Sequence, residues 1–275
     1  MKKIAAFLLI AALTAALCAC GSNSQKPDGS SADSGIPGII DVLPEGGGEL
    51  SPEDVKNNYD KAFAYVESTI DTTGMTANPD DEQEGYYYCY WFYDEEAENV
   101  TFPMDVDVDG ARIVVGETLE KDLKGLGFET EVPSETAEPD ESIGVVINKN
   151  GKSAALTLQN NETGQPVPVA DLPVFVFTDT DSEYSIPFTY AGLSSQSTIA
   201  DVIKVLGKPN SSIHLSSDDI STTIELSYAN NVTENDSDIM DSLDLTFIYN
   251  AESNTAALSN INLSRSISPR EEMAD

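Results

Sequence analysis

Apolar residues recur along the chain first at helical and then at strand spacing. Val55, Tyr59, Phe63, Val66 and Ile70 stand three or four apart, which puts them on one face of a helix. Ser51-Pro52-Glu53-Asp54 supplies its start: a serine N-cap, a proline in the first helical position, and acids where the helix dipole favours them. Gly74 is the expected stop. The run Tyr86 to Tyr93 holds seven aromatics in eight positions and predicts a strand. Alternation separates Tyr86, Tyr88, Tyr90 and Phe92 from Tyr87, Cys89, Trp91 and Tyr93. Burial of both faces and an exposed recognition surface are both open at this point. A lone thiol lasts best away from solvent, so the first set is the candidate contact surface.

A second pattern occurs twice. Thr118-Leu119-Glu120-Lys121-Asp122-Leu123 leads to Leu126-Gly127, and Thr198-Ile199-Ala200-Asp201-Val202-Ile203 leads to Leu206-Gly207-Lys208-Pro209. Each reads as a short helix with a threonine cap, one apolar face and a glycine C-cap. Three alternating segments follow each helix. In the first copy they are Ile143/Val145/Ile147, Ala154/Leu156/Leu158 and Val174/Val176 beside Phe175 and Phe177. In the second they are Ile224/Leu226/Tyr228, Leu243/Leu245/Phe247/Tyr249 and Ala257/Ile261/Leu263. Asn150-Gly151 predicts a tight hairpin in the first copy, while the polar stretch from Asn230 to Asp241 is expected to be a loop.

The motif Thr198-x-x-Asp201-Val202-x-x-x-Leu206-Gly207-x-Pro209 has a degenerate partner at Thr118, Asp122, Leu123, Leu126 and Gly127. The two resemble the tandem helix-then-meander modules of bacterial envelope lipoproteins, in the layout of β-lactamase inhibitor protein and the BamE/SmpA-type lipoproteins. The first copy departs from the pattern, with Phe128 and Glu129 where Lys208 and Pro209 stand. The resemblance covers about residues 100–264 and implies binding or scaffolding on a sheet surface, with no catalysis and no named ligand. The expected class is therefore α+β: an amino-terminal helix and aromatic strand (51–99), then a first helix-plus-meander module (100–182), a second (183–264) and a polar tail (265–275).

Ahead of these elements, Met1-Lys2-Lys3 and the apolar run Ile4 to Leu17 form a segment too short to span a membrane, which reads as a secretory signal. Leu17-Cys18-Ala19-Cys20-Gly21 is similar to the bacterial lipobox, and the resemblance makes Cys20 the acylated residue, a palmitate-bearing membrane anchor, after removal of residues 1–19. Cys89 is then the remaining thiol, so no intramolecular disulfide is expected. Residues 21 to 50 contain 7 Gly, 5 Ser and 3 Pro, and 20–50 reads as a flexible tether reaching about 30 Å.

Charge narrows the partners. With 48 acidic against 14 basic residues and a net charge of −34, nucleic acid is excluded as a natural partner, and anionic headgroups repel the body of the protein, leaving attachment to the lipid. Between Ala62 and Ala111 there are 13 acids and no Lys or Arg.

Candidate chemistry is sparse, and no cofactor is expected. Asp105, Asp107, Asp109 and Gly110 resemble the opening of a calcium loop, although the closing acid falls one position late at Glu117 and an Asp-Gly turn explains the same residues. His214 lies among serines and acids from which a Ser/His/Asp set can be drawn, but neighbours along one segment rarely converge as a triad, and a solvated loop histidine is the expectation. The reading that results is a non-enzymatic, lipid-anchored protein on the outer face of the cell membrane, binding a protein or envelope component. Its alternative is a lipoprotein that stacks a sugar or similar solute on the aromatic strand.

Overall fold

The computed structural model describes residues 50–83, 85–93, 99–161, 165–180, 184–234 and 237–269. Helix α1 (Pro52–Thr69) begins as the sequence dictates, with Ser51 Oγ accepting the Asp54 N–H at 3.2 Å. It ends before Gly74: Ile70 turns extended and buries its side chain, and the Asp71 carboxylate takes the Thr73 N–H. Gly74, at φ 83°, turns the chain into β1 (Met75–Gln83). The acids and Pro79 in β1 obscure it as a strand. It lies at a sheet edge, where a proline interrupts the ladder at least cost.

β1 pairs with the aromatic strand β2 (Tyr86–Tyr93). A hairpin follows, β3 (Asp105–Val108) and β4 (Ala111–Val114), closed by Asp109 and Gly110 at φ 49° and 80°. Helix α2 (Glu120–Gly125) leads to β5 (Glu129–Glu131), the two-residue β6 (Thr136–Ala137), β7 (Ser142–Lys149), β8 (Lys152–Gln159), the two-residue β9 (Val167–Pro168) and β10 (Val174–Thr180). After β11 (Phe188–Thr189), helix α3 (Ile199–Leu206) leads to β12 (Ser212–Ser217), β13 (Thr222–Glu234), β14 (Ser237–Asn250) and β15 (Thr255–Pro269).

Ten strands form one sheet in the order β1-β2-β12-β13-β14-β15-β10-β8-β7-β5, so the protein is mixed α and β with sheet predominant. β11, β3 and β4 make a small separate sheet. Among the described residues no helix is long and apolar enough to cross a membrane.

The two short helices start differently for a reason visible in their spacing. Thr198 and Asp201, three apart, cap each other reciprocally: Thr198 Oγ1 accepts the Asp201 N–H and the Asp201 carboxylate accepts the Thr198 N–H. Thr118 and Asp122 are four apart. The cap position falls on Leu119, whose N–H meets the Asp122 carboxylate, and Thr118 Oγ1 instead accepts the Val114 N–H. The expected threonine cap of the first copy is thus corrected to Leu119.

Three further expectations change. The stretch Asn230 to Asp241 is strand on both sides of residues 235–236: Asn231 pairs with Met240 and Val232 with Ile239, in an extension of the ladder where Asn231, Val232 and Asp238 are exposed, so apolar alternation is not required. Residues 265–269, expected in a polar tail, continue β15. A bulge opposite Thr246/Phe247 switches the β15 alternation, so Ala256 and Leu258, not Ala257, are buried before Ile261 and Leu263.

The core lies on one face of the large sheet. Phe63 meets Trp91 at 5.0 Å between ring centroids, and Tyr59 meets Tyr87 at 5.7 Å, so α1 covers β2 and its neighbours. Ile213, Leu215, Ile224, Leu226, Leu243, Leu245, Phe247, Leu156 and Phe177 extend the same layer beneath Leu123, Ile199, Val202 and the valines of the small sheet. Asp241 is buried there against Arg265, directly opposite it, at 2.7 and 3.0 Å. The guanidinium rests on Gly116, where a Cβ would come within 2.6 Å of Nη1.

Candidate functional site

Alternation leaves the other face of the sheet to a different set of side chains. Strand register lines them up in rows. Tyr90, His214, Glu225, Thr246 and Asn260 are successive cross-strand partners from β2 to β15. Beside them run Phe92, Ser212, Ser227, Asp244, Asn262 and Thr178. Among the described residues, the helices pack on the opposite, core-bearing face. We call this one the open face.

The aromatic residues singled out in the sequence divide across the sheet. Trp91 and Cys89 are buried at 2% and 0% exposure, whereas Tyr90 and Phe92 are 40% and 38% exposed and Tyr86 and Tyr88 are half-buried. On the open face Tyr86, Tyr88 and Tyr90 form a ladder with centroids 5.6 and 5.7 Å apart. Burial raises the Cys89 thiol to about 11, so the thiol stays protonated and unreactive at neutral pH.

His214 is not in a solvated loop. It sits in β12 with its ring parallel to Tyr90 at 4.1 Å and edge-on to Tyr88 at 6.4 Å. Nε2 is buried without a hydrogen bond, and desolvation lowers the imidazole to about 4, so it is neutral at physiological pH. Of the neighbouring hydroxyls, Ser216 is hydrogen-bonded with Thr223, and Ser217 with Thr222 and the Val55 carbonyl.

Two carboxylates, which sequence reasoning passed over, stand next to this stack. Glu225 lies opposite His214, and Asp244 lies one row away on β14. Desolvation, then the charge of Asp244, raises the Glu225 carboxyl to about 7, against a hydrogen bond from Thr246. Desolvation also raises Asp244, although Ser227 and Asn262 hydrogen-bond it. Asn262 Nδ2 donates to Asp244 Oδ2 at 3.3 Å, and Thr178 Oγ1 donates to Asn262 Oδ1 at 3.0 Å, forming a polar chain across three strands. The alternation of Thr223, Glu225 and Ser227 with Ile224, Leu226 and Tyr228 marks Glu225 as facing away from the core. Its proximity to His214 and Asp244 depends on register between strands distant in sequence.

The remaining candidates lie elsewhere. Asp105 pairs with Arg112 at 2.9 Å, Asp109 with Lys149 at 3.2 Å, and Asp107 Oδ1 accepts the Gly110 N–H at 2.8 Å, which accounts for all three acids as parts of a hairpin. Among the described residues no group of three or more potential metal ligands is assembled. Cys20, with the signal segment and most of the tether, lies outside the described residues.

Comparison of the chain with protein-family models, with curated proteins and with solved structures returns no match.

Proposed function

We propose that the protein is a non-enzymatic binding protein of the cell envelope, anchored by lipid at Cys20 to the outer face of the membrane, that presents the open face of its sheet to a macromolecular partner. The observation that carries this reading is the unequal use of the two faces. One is consumed by the core, while the other carries exposed Tyr90 and Phe92 on β2 and half-buried Glu225 and Asp244 on β13 and β14. Aromatic anchors flanked by polar groups are the composition on which binding energy concentrates in protein interfaces.

We read residues 100–264 as a duplicated unit. α2 is followed by β5, β7, β8 and β10, and α3 by β12 to β15; the last strands of the two meanders, β10 and β15, lie antiparallel side by side. Two copies related by a two-fold axis would meet in this way. The segments also interlock, since β11 of the second joins β3 of the first and Tyr190 Oη donates to the Pro103 carbonyl at 2.8 Å. The arrangement supports the likeness to β-lactamase inhibitor protein and BamE/SmpA-type lipoproteins and a division near 182/183, with β15 carrying the second unit on to Pro269.

The tyrosine ladder favours a second reading, in which a sugar stacks on Tyr86, Tyr88 and Tyr90 and is hydrogen-bonded by Glu225. Two experiments test the account. Cys20→Ser should abolish incorporation of labelled palmitate; undiminished labelling would place the lipid elsewhere. Capture of an envelope component on the immobilised full chain should be lost with Thr246→Trp, which adds bulk to the open face, and kept with Lys124→Trp on α2. The reverse pattern would contradict the open face as the site.

A further inference from the structure

Carboxylates that are withdrawn from water need a positive partner or a set of hydrogen bonds, and this protein solves that problem differently on its two faces. On the core side, Asp241 receives two hydrogen bonds from Arg265 of the adjacent strand. Three residues along the same strand, Asp244 has only neutral partners, Ser227 and Asn262. Glu225 likewise has Thr246 and, among the described residues, no cation. The described ion pairs leave both out.

The distribution of positive charge accounts for the contrast. In the ten-stranded sheet Lys149 and Lys152 pair with each other in register with Ile147 and Ala154, and Arg265 is in register with Leu263, so all three have the parity of the core face. The other described basic residues are on the helices, on β4 or in the loop after α3. The open face therefore carries Glu225 and Asp244, together with Glu129 and Glu131 on β5, and no described lysine or arginine. On the same face, beyond His214 and Ser212, stand the exposed rings of Tyr90 and Phe92, with His214 stacked on the inner side of Tyr90. Desolvated carboxylates attract a guanidinium or ammonium group, and exposed rings on the same face supply apolar and quadrupolar contact for the residues around it.

We propose that the open face docks a basic segment of a partner protein, with an arginine or lysine side chain reaching the Glu225/Asp244 pair on the far side of His214 and the rest of the segment lying over Tyr90 and Phe92. This deepens the binding role proposed above and rests on it. The incoming cation would supply on the open side what Arg265 supplies on the core side. Docking would then draw Glu225 fully into its ionised form, because a nearby positive charge favours the carboxylate.

The probe is a synthetic hexaarginine peptide, titrated into the full chain at about 0.15 M salt, where charges more than about 8 Å apart are screened. A chain this acidic attracts any polycation, so the control must change net charge equally. Glu225→Gln with Asp244→Asn should weaken binding by about tenfold or more, as loss of a desolvated charge pair does. Glu117→Gln with Glu252→Gln, exposed and outside the open face, should weaken it by less than about twofold, as expected for screened surface charge. Tyr90→Ala should also weaken binding, whereas Lys124→Ala should not.

Equal losses in the two double variants, or no loss in the first, would overturn the inference. So would retention of a neutral cell-wall oligosaccharide at this face that survives Glu225→Gln with Asp244→Asn. Those results would leave the wider binding role to be decided by capture with Thr246→Trp and Lys124→Trp, so the two claims fail separately.

Discussion

The imidazole of His214 lies face to face with the ring of Tyr90, 4.1 Å between centroids and 1° between planes, on the side of the sheet that no described helix covers. Glu225 is its direct partner on the next strand. The stack withdraws the imidazole from water and sets it between an exposed tyrosine and a carboxylate.

Burial has opposite consequences for these two titratable groups. Glu225 is raised from 4.5 to about 7, so the folded state binds the extra proton between those values and stability falls as pH rises through that window, by roughly 3 kcal/mol for Glu225. His214 is lowered from 6.5 to about 4, so the unfolded state binds the extra proton and stability rises with pH between about 4 and 6.5. The two offset each other from about 4.5 to 6.5. Chemical denaturation of the wild type should vary less with pH there than that of either variant below, with Asp244, raised like Glu225, adding to the decline. His214→Phe, which keeps a ring for stacking, should uncover a decline with rising pH, and Glu225→Gln with Asp244→Asn should uncover a rise. Parallel pH profiles for all three proteins would refute the assignment.

Trp91 and Tyr90 are neighbours on β2 with opposite surroundings. Trp91→Ala removes a ring packed on Phe63 and should cost about 3 to 5 kcal/mol in urea denaturation. Tyr90→Ala should cost about 1 kcal/mol or less, because the ring is 40% exposed. An inverted order would mean that the face bearing Tyr90 is the core.

Gly116 combines a left-handed backbone with a contact that any side chain there would force Arg265 to give up. At φ 88°, with Arg265 against its α-carbon, Gly116→Ala should lower stability by about 2 kcal/mol or more. Asp241→Asn should cost about 3 kcal/mol by taking the charge from a buried carboxylate that holds the guanidinium at 2.7 and 3.0 Å. If the pair acts as a unit, the double variant will lose less than the sum of the single losses.

Helix α1, the aromatic strand and the starts of β7 and β13 were legible because each is written locally, in a cap, a run of rings or a two-residue alternation. β5 and β12 were missed because they are short, and β12 is built largely from serines. Its identity as a strand comes from pairing with β2 and β13, more than one hundred residues from β2, which no local pattern reports. The same limit hid the site. Tyr90 and Phe92 could be placed on one face from alternation alone, but His214, Glu225 and Asp244 join them only through the register of four strands.

Replacing Thr246 in the living cell by a photo-activated cross-linking residue tests the central claim most directly, with the same residue at Lys124 on α2 as the comparison. The account predicts a discrete cross-linked partner from the Thr246 position, lost when Tyr90→Ala is added, and none from Lys124. A partner joined through Lys124 with silence at Thr246 would show that the helix-bearing side, not the open face of the sheet, does the binding.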